Sequence, residues 1–111
     1  MSYRAYCNGR IGFDGPMTDK VEKELEHIFP VGYGYEYYWD SDNVKSEIYF
    51  MYNGNYHEDD VIGILDDISK LITITLGECY FSGEDDTFWR FIFRNGMWVE
   101  QNGTIVYEDA E

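Results

Sequence analysis

The side chains with the clearest chemical potential in this sequence are two histidines, two cysteines and 22 carboxylates. His57 directly precedes Glu58, Asp59 and Asp60, and imidazole and carboxylate groups are common metal ligands. The same run is also typical of a helix start, where negative side chains suit the helix dipole and a loop histidine stands before them. We therefore predict a helix start at this point, with no metal site and no cofactor.

A second candidate for metal binding is the pair Asp40 and Asp42, which begins like a calcium-binding loop. Such a loop needs glycine at its sixth position and glutamate at its twelfth. Lys45 and Met51 occupy those positions here. The spacing therefore excludes a calcium loop of this kind.

Candidates for covalent catalysis are equally sparse. Cys7 and Cys79 have no histidine close to them in sequence, which favours small reduced core residues over nucleophiles. His27 lies beside an apolar helix stripe and is interpreted as packed or solvated. The sequence has no glycine-rich phosphate loop, no C-x-x-C pair, no nucleophile-elbow serine and no H-x-x-x-H pair. We predict a protein that is not an enzyme.

Residues 74–108 provide the strongest structural pattern. They contain four short runs rich in β-branched and aromatic residues, separated by three turn signals. Two of the turns are Asn-Gly pairs, Asn95-Gly96 and Asn102-Gly103, which suit two-residue hairpins, and the third is the acidic turn at residues 83–86. In the run that starts at Phe88, apolar side chains alternate with two arginines. This pattern predicts an antiparallel meander with one buried side.

The first 73 residues supply the elements that cover this meander. An apolar stripe at helical spacing predicts the first helix, with Asp19 and Glu22 as a capping box and Pro30 as its end. Asn53-Gly54-Asn55 is interpreted as the end of the third strand. The predicted elements are strands at 3–13, 32–40 and 45–52 and helices at 19–29 and 59–71.

The resulting order, β-α-β-β-α-β followed by extra strands, predicts an α+β fold in a single domain of 111 residues. We expect a ferredoxin-like β-α-β-β-α-β antiparallel sheet with two helices on one face and a C-terminal β-hairpin extension. In that topology the first and fourth strands are antiparallel neighbours, which would place Cys7 and Cys79 on adjacent strands. A plain α+β meander with another strand order is the rival arrangement.

The formal net charge of −14 limits the classes of partner. It opposes direct nucleic-acid binding, which depends on lysines and arginines, and it opposes binding to anionic membranes. It favours solubility and attraction to basic surfaces. With no signal-peptide pattern and no run of about 20 apolar residues, we expect a cytoplasmic protein.

The carboxylates fall into three groups on predicted turns or helix starts, and tyrosines lie between them. Each group alone is typical of a solvated loop, but together they resemble a phosphate backbone that would meet the lysines and arginines of a nucleic-acid-binding protein. Tyrosine favours protein interfaces because it supplies contact area with little loss of entropy. The predicted partner-binding residues are Glu36, Asp40 and Asp42; Glu58, Asp59, Asp60, Asp66 and Asp67; Glu84, Asp85 and Asp86; and Tyr35, Tyr38 and Tyr49.

Three segments of the C-terminal part resemble known proteins. They are residues 83–91 (GEDDTFWRF), Asn95-Gly96 and residues 105–108 (IVYE). They resemble the C-terminal signature of small phage and prophage proteins, in which a G-E-D…W-R strand, a short hairpin and an I-V-Y-E ending recur. The resemblance covers about a quarter of the chain and implies a mobile-element setting. Small acidic proteins in that setting are often inhibitors of host defence, such as anti-CRISPR or anti-restriction proteins, and some mimic DNA.

Our hypothesis is an acidic inhibitor, monomeric or homodimeric, that blocks the nucleic-acid-binding surface of a host defence nuclease complex by charge mimicry. A first alternative is a binder or sponge for a signalling nucleotide. In that alternative Tyr37, Trp39 and Trp98 stack on a base, and Arg90 or Arg94 contacts a phosphate. A second alternative is a phage structural or assembly protein.

Overall fold

The structure is a computed structural model that describes residues 3–29, 32 and 34–103. It shows an α+β fold in which two helices accompany one six-stranded antiparallel sheet. None of the described helices is long and apolar enough to cross a membrane. The elements are β1 (Arg4–Asp14), α1 (Asp19–Ile28), β2 (Tyr35–Ser41), β3 (Lys45–Asn55), α2 (Glu58–Leu71), β4 (Ile74–Gly83), β5 (Phe88–Arg94) and β6 (Met97–Gly103).

The strand order is β2-β3-β1-β4-β5-β6. The predicted neighbours β1 and β4 do pair in antiparallel fashion. The complete order differs from that of a simple ferredoxin-like sheet, because β5 and β6 extend the sheet beyond β4. Cys79 lies opposite Gly9 and Cys7 lies opposite Phe81, so the two cysteines are on adjacent strands, offset by two residues on one face. Both are free thiols.

One face of the sheet forms the core, and strand alternation explains why. On β1 the odd-numbered residues from Ala5 to Phe13 are buried, whereas most of the residues between them are exposed, as the sequence pattern predicts. Trp89 and Phe91 on β5 continue the buried face. The helices contribute Leu25 from α1 and four residues from α2, namely Val61, Ile64, Leu65 and Ile68.

The first helix is capped differently from the prediction. Thr18, and not Asp19, is the N-cap, and its hydroxyl accepts a hydrogen bond from the Val21 amide at 3.2 Å. The prediction that Asp19 and Glu22 form a capping box is therefore wrong. Asp19 and Glu22 instead lie in the first turn, where negative charge suits the helix dipole.

Of the two turns predicted at Asn-Gly pairs, one is present in the structure and the other is not. Asn95 and Gly96 have φ values of 51° and 81°, which confirms the predicted tight hairpin between β5 and β6. The turn predicted at Asn102-Gly103 is wrong, because these residues continue β6 and pair with Trp89 and Phe88. The fourth β run, at residues 104–108, lies outside the described residues.

The third strand is longer than predicted. Asn53-Gly54-Asn55 does not end it, since these residues pair with the first three residues of β1. A neighbouring strand that supplies backbone hydrogen bonds overrides the turn preference of Asn and Gly.

Candidate functional site

Two of the three predicted acidic groups lie at the same end of the sheet. Residues 58–60 form the first turn of α2, and residues 84–86 belong to the turn between β4 and β5. Strand β1 begins between them, because Arg4 pairs with Asn55 of β3 and Ala5 pairs with Gly83 of β4. Adjacent strands are about 4.8 Å apart, so the ends of β3 and β4 are about 10 Å apart. We call residues 58–60 and 84–86 the acidic end.

The two carboxylates at the start of the β4–β5 turn also hold that turn in place. The Glu84 carboxylate accepts a hydrogen bond from the Arg4 amide at 3.3 Å. Asp85 accepts from the Tyr3 hydroxyl and from the Thr87 amide. The hydrogen bond from Tyr3 is the main reason why the pKa of Asp85 lies below its ordinary value. Asp85 is therefore a fixed, ionised acceptor at neutral pH.

The carboxylates in the first turn of α2 are less constrained by hydrogen bonds than those of Glu84 and Asp85. Glu58, Asp59 and Asp60 are exposed, and His57 at the N-cap makes no side-chain capping hydrogen bond. Glu100 of β6 approaches this turn. Desolvation, followed by a hydrogen bond with Glu58, raises the pKa of Glu100. Glu58 of the acidic end and Glu100 beside it are thus neighbouring carboxyl groups that a cationic ligand would stabilise in the ionised form.

A cleft of about 870 Å³ lies beside the acidic end, between the end of α1 and the start of α2. The sequence did not predict that both histidines would share it. The order of elements could have predicted this proximity. The helix that follows β1 runs back to the end of the sheet at which the helix after β3 starts. The charged or titratable side chains that line the cleft are Arg4, His27, His57, Asp59, Asp60 and Asp67.

The third acidic group lies elsewhere. Glu36 and Asp40 are exposed on the outer strand β2, and Asp42 lies in the turn to β3 at the opposite end of the sheet. Asp42 Oδ1 accepts hydrogen bonds from the Val44 amide at 2.7 Å and from the Lys45 amide at 2.9 Å. These bonds, chiefly that from Lys45, lower the pKa of Asp42. The structure therefore brings two acidic groups together and separates the third from them. Asp66 and Asp67 lie on α2, and Asp67 reaches the cleft.

We expect the protein to lose stability as the pH falls from about 6 to about 3. The folded-state pKa values of Asp42, Glu47 and Asp85 all lie below the ordinary values. Their stabilising contribution is therefore complete above the ordinary carboxyl range and is lost as the pH falls through that range towards the folded-state pKa values. Thermal unfolding midpoints measured over this range should fall less steeply in Asp42→Asn, which keeps an acceptor oxygen, than in the wild type. A flat wild-type profile would contradict this expectation.

The predicted tyrosines divide between the two faces of the sheet. Tyr35 is half-buried on the helix side and contacts Tyr52 edge-on, with ring centroids 4.5 Å apart. Tyr38 is on the open face, where it stacks on Tyr49 with centroids 5.0 Å apart. Tyr49 also donates a hydrogen bond to Glu47. The two stacked rings are therefore the predicted aromatic pair that remains accessible on the open face.

That open face also holds an ion pair. Arg10 bonds Glu47 at 2.8 Å, the one ion pair found within residues 3–29, 32 and 34–103. The hydrogen bond from Arg10 is the main reason why the pKa of Glu47 is lowered. Most carboxylates of the described chain thus have no cationic partner within it and keep their charge available for another molecule.

Metal and thiol chemistry find little support in the geometry. Among the described residues, no group of three or more His, Cys, Asp or Glu side chains is arranged to hold a metal ion. Burial raises the pKa values of Cys7 and Cys79, which keeps both thiols protonated. Protonated, buried thiols pack as small apolar side chains.

The residues that would bind a signalling nucleotide in the first alternative do not lie close together within one chain. Tyr37 and Trp39 are on β2 and Trp98 is on β6, at opposite edges of the sheet and thus about 24 Å apart at a spacing of about 4.8 Å per strand. The Trp98 indole donates a hydrogen bond to the Leu65 carbonyl at 2.9 Å, so this ring is held against α2. Arg90 is on the open face, where it bonds Gln101 at 2.7 Å.

The chain matches no protein-family model, no curated protein and no solved structure.

Proposed function

We propose that the protein is a non-enzymatic inhibitor of the phage type, which binds the nucleic-acid-binding surface of a host defence nuclease complex. The observation that carries the proposal is the acidic end beside the cleft. Carboxylates from two separate parts of the sequence lie at one end of the sheet there. Those of α2, namely Asp59, Asp60 and Asp67, line the cleft.

The mechanism is competitive. Carboxylates of the acidic end and of Asp67 pair with lysines and arginines that otherwise hold phosphates. The cleft accepts a long basic side chain, whose ammonium or guanidinium group replaces the missing cationic partners of Asp59 and Asp60. Because the attraction is long-range, association is fast at low salt and slows as salt is added.

The target class is proposed from the resemblance to phage and prophage proteins, and the position of the acidic end beside the cleft supports the proposed contact surface. We propose that the chain is a ferredoxin-like sheet with a C-terminal hairpin extension. The pairing of β1 with β3 and β4 and of β2 with β3 supports this assignment, with β5 and β6 as the added hairpin.

We expect the double variant Asp59→Asn, Asp67→Asn to bind its target about tenfold more weakly than the wild type. Two exposed charge contacts of about 0.7 kcal/mol each correspond to that factor. The tagged protein is used to capture partners from lysate of a bacterium with active CRISPR and restriction systems, at low salt and at about 0.5 M salt. Captured proteins are identified by mass spectrometry, and the affinity of the purified complex is then measured for each variant.

The matched control is Asp14→Asn, Glu24→Gln, which removes the same charge from exposed positions that do not line the cleft. It should capture and bind as the wild type does. Salt-sensitive capture of a nuclease-complex subunit, together with competition against its nucleic acid, would support the proposal. Capture of nothing at either salt, or equal loss in both double variants, would overturn it.

A further inference from the structure

Strand β2 is an outer strand of the sheet. Its seven residues pair with β3 on one side, and no described residue pairs with its other side. An outer strand directs alternate N–H and C=O groups away from the sheet, where they are free to bond another extended chain.

The outer side of β2 lacks several of the features that prevent such pairing, and its charged side chains are the acidic Glu36 and Asp40. Its register with β3 runs without a bulge from Tyr35–Tyr52 to Ser41–Ser46. The strand contains no proline and no lysine. Proteins commonly protect an outer strand with one of these features. A regular strand of this length, with only acidic charges on it, is a template for the addition of a basic strand.

The two faces of β2 differ in chemistry. On the open face the strand presents Glu36, Tyr38 and Asp40, all of them exposed, with 59% of Tyr38 accessible. A cavity of about 460 Å³ lies along the strand; Phe29, Tyr35 and Tyr37 line it on the helix face, and Glu36, Tyr38 and Met51 line it on the open face. An added strand would therefore meet Glu36, Tyr38 and Asp40 with the side chains of one face and the aromatic rings of the helix face with the others.

A second copy of the chain fits this strand poorly. If two β2 strands paired about a twofold axis at Tyr38, Glu36 of each copy would lie opposite Asp40 of the other. Two such pairs of like charges destabilise the pairing. A strand with lysine or arginine at alternate positions would turn both repulsive contacts into attractive ones.

We propose that β2 is a strand-addition site for an extended segment of a protein partner, with Lys or Arg at every second position and apolar residues between. The basic side chains lie against Glu36 and Asp40, and the apolar ones lie against the aromatic cavity. This site is separate from the acidic end, and its test does not depend on binding at the acidic end.

The probe is a synthetic peptide of about ten residues in which lysine alternates with valine or phenylalanine. We expect the wild type to bind it, as measured by fluorescence anisotropy, and the variant Glu36→Lys, Asp40→Lys to bind it at least tenfold more weakly. The same variant should gain affinity for a peptide in which glutamate replaces lysine. Asp40 lies opposite Glu47, so a lysine at position 40 is compatible with the folded strand.

Two controls separate strand addition from general charge attraction. Glu24→Lys, Asp66→Lys makes the same change of charge at exposed helix positions and should leave peptide binding within twofold of the wild type. A peptide of the same composition with its lysines grouped in one block should bind more weakly. Hydrogen exchange should slow at alternate amides of β2 when the alternating peptide binds.

Three outcomes would overturn the proposal. One is an equal loss of binding in both lysine double variants, which would indicate attraction by net charge alone. Another is peptide binding without protection of the β2 amides. The third is a dimer of the free protein, seen by sedimentation, whose β2 amides are already protected, which would assign the strand to a second copy.

Discussion

Replacing Gly9 with alanine is expected to destabilise the protein by about 3 kcal/mol, the upper part of the range for overpacked cores. A Cβ atom at this position would lie 2.1 Å from Cε1 and 2.2 Å from Cζ of the Phe50 ring. Phe50 is buried and packs against Phe29, with ring centroids 5.2 Å apart, so the ring has little space to move away. Urea unfolding of the variant and the wild type measures the difference.

Two companion variants make this prediction specific. Phe50→Leu should reduce the further cost of Gly9→Ala, because the smaller side chain leaves space for the new methyl group. Gly63→Ala is the matched control, since no heavy atom lies within 4 Å of its added Cβ and the residue is inside α2. It should stabilise the protein by up to about 1 kcal/mol, the difference in helix propensity between glycine and alanine. Equal effects at positions 9 and 63 would contradict the proposed ring contact.

The second large effect is expected at Leu25. It is fully buried, and it is the buried residue within α1, so this one side chain provides much of the contact that holds the helix on the sheet. Leu25→Ala should destabilise the protein by about 3 to 5 kcal/mol through lost burial and the remaining cavity. The measurement is the free energy of unfolding in urea, with far-ultraviolet circular dichroism as the signal.

Val21→Ala is the appropriate comparison, because Val21 lies one turn earlier on the same stripe and is only partly buried. Its cost should be about 1 kcal/mol. Similar losses at positions 21 and 25 would indicate that α1 is held by its whole stripe and not mainly by Leu25.

The sequence predicted the strands and helices well where one physical preference dominated. Alternation on β1 and β5 identified the buried faces, and Asn95-Gly96 identified a real hairpin because both residues accept positive φ. The same dipeptide at Asn102-Gly103 failed, since pairing with β5 keeps those residues extended. The turn preference of a dipeptide is weaker than a complete row of inter-strand hydrogen bonds. Such a row cannot be predicted from the sequence of one segment.

The candidate site was predictable only in part. The carboxylate groups at residues 58–60 and 84–86 are visible in the sequence, but their proximity depends on where β1 begins. The cleft that unites His27 and His57 depends on the path of two helices. Residue spacing shows which side chains share one element, whereas contacts between elements follow from strand order.

The central position of β1 has a consequence for how the chain is made. Ala5 is synthesised well before Gly54 and Gly83, the residues with which it pairs. β1 therefore has no strand partner until β3 has been synthesised, and its second edge is paired only when β4 follows. Such distant pairings are costly in loop entropy and slow the search for the native state. Pairing of β1 is thus delayed until the later strands of the domain have been synthesised.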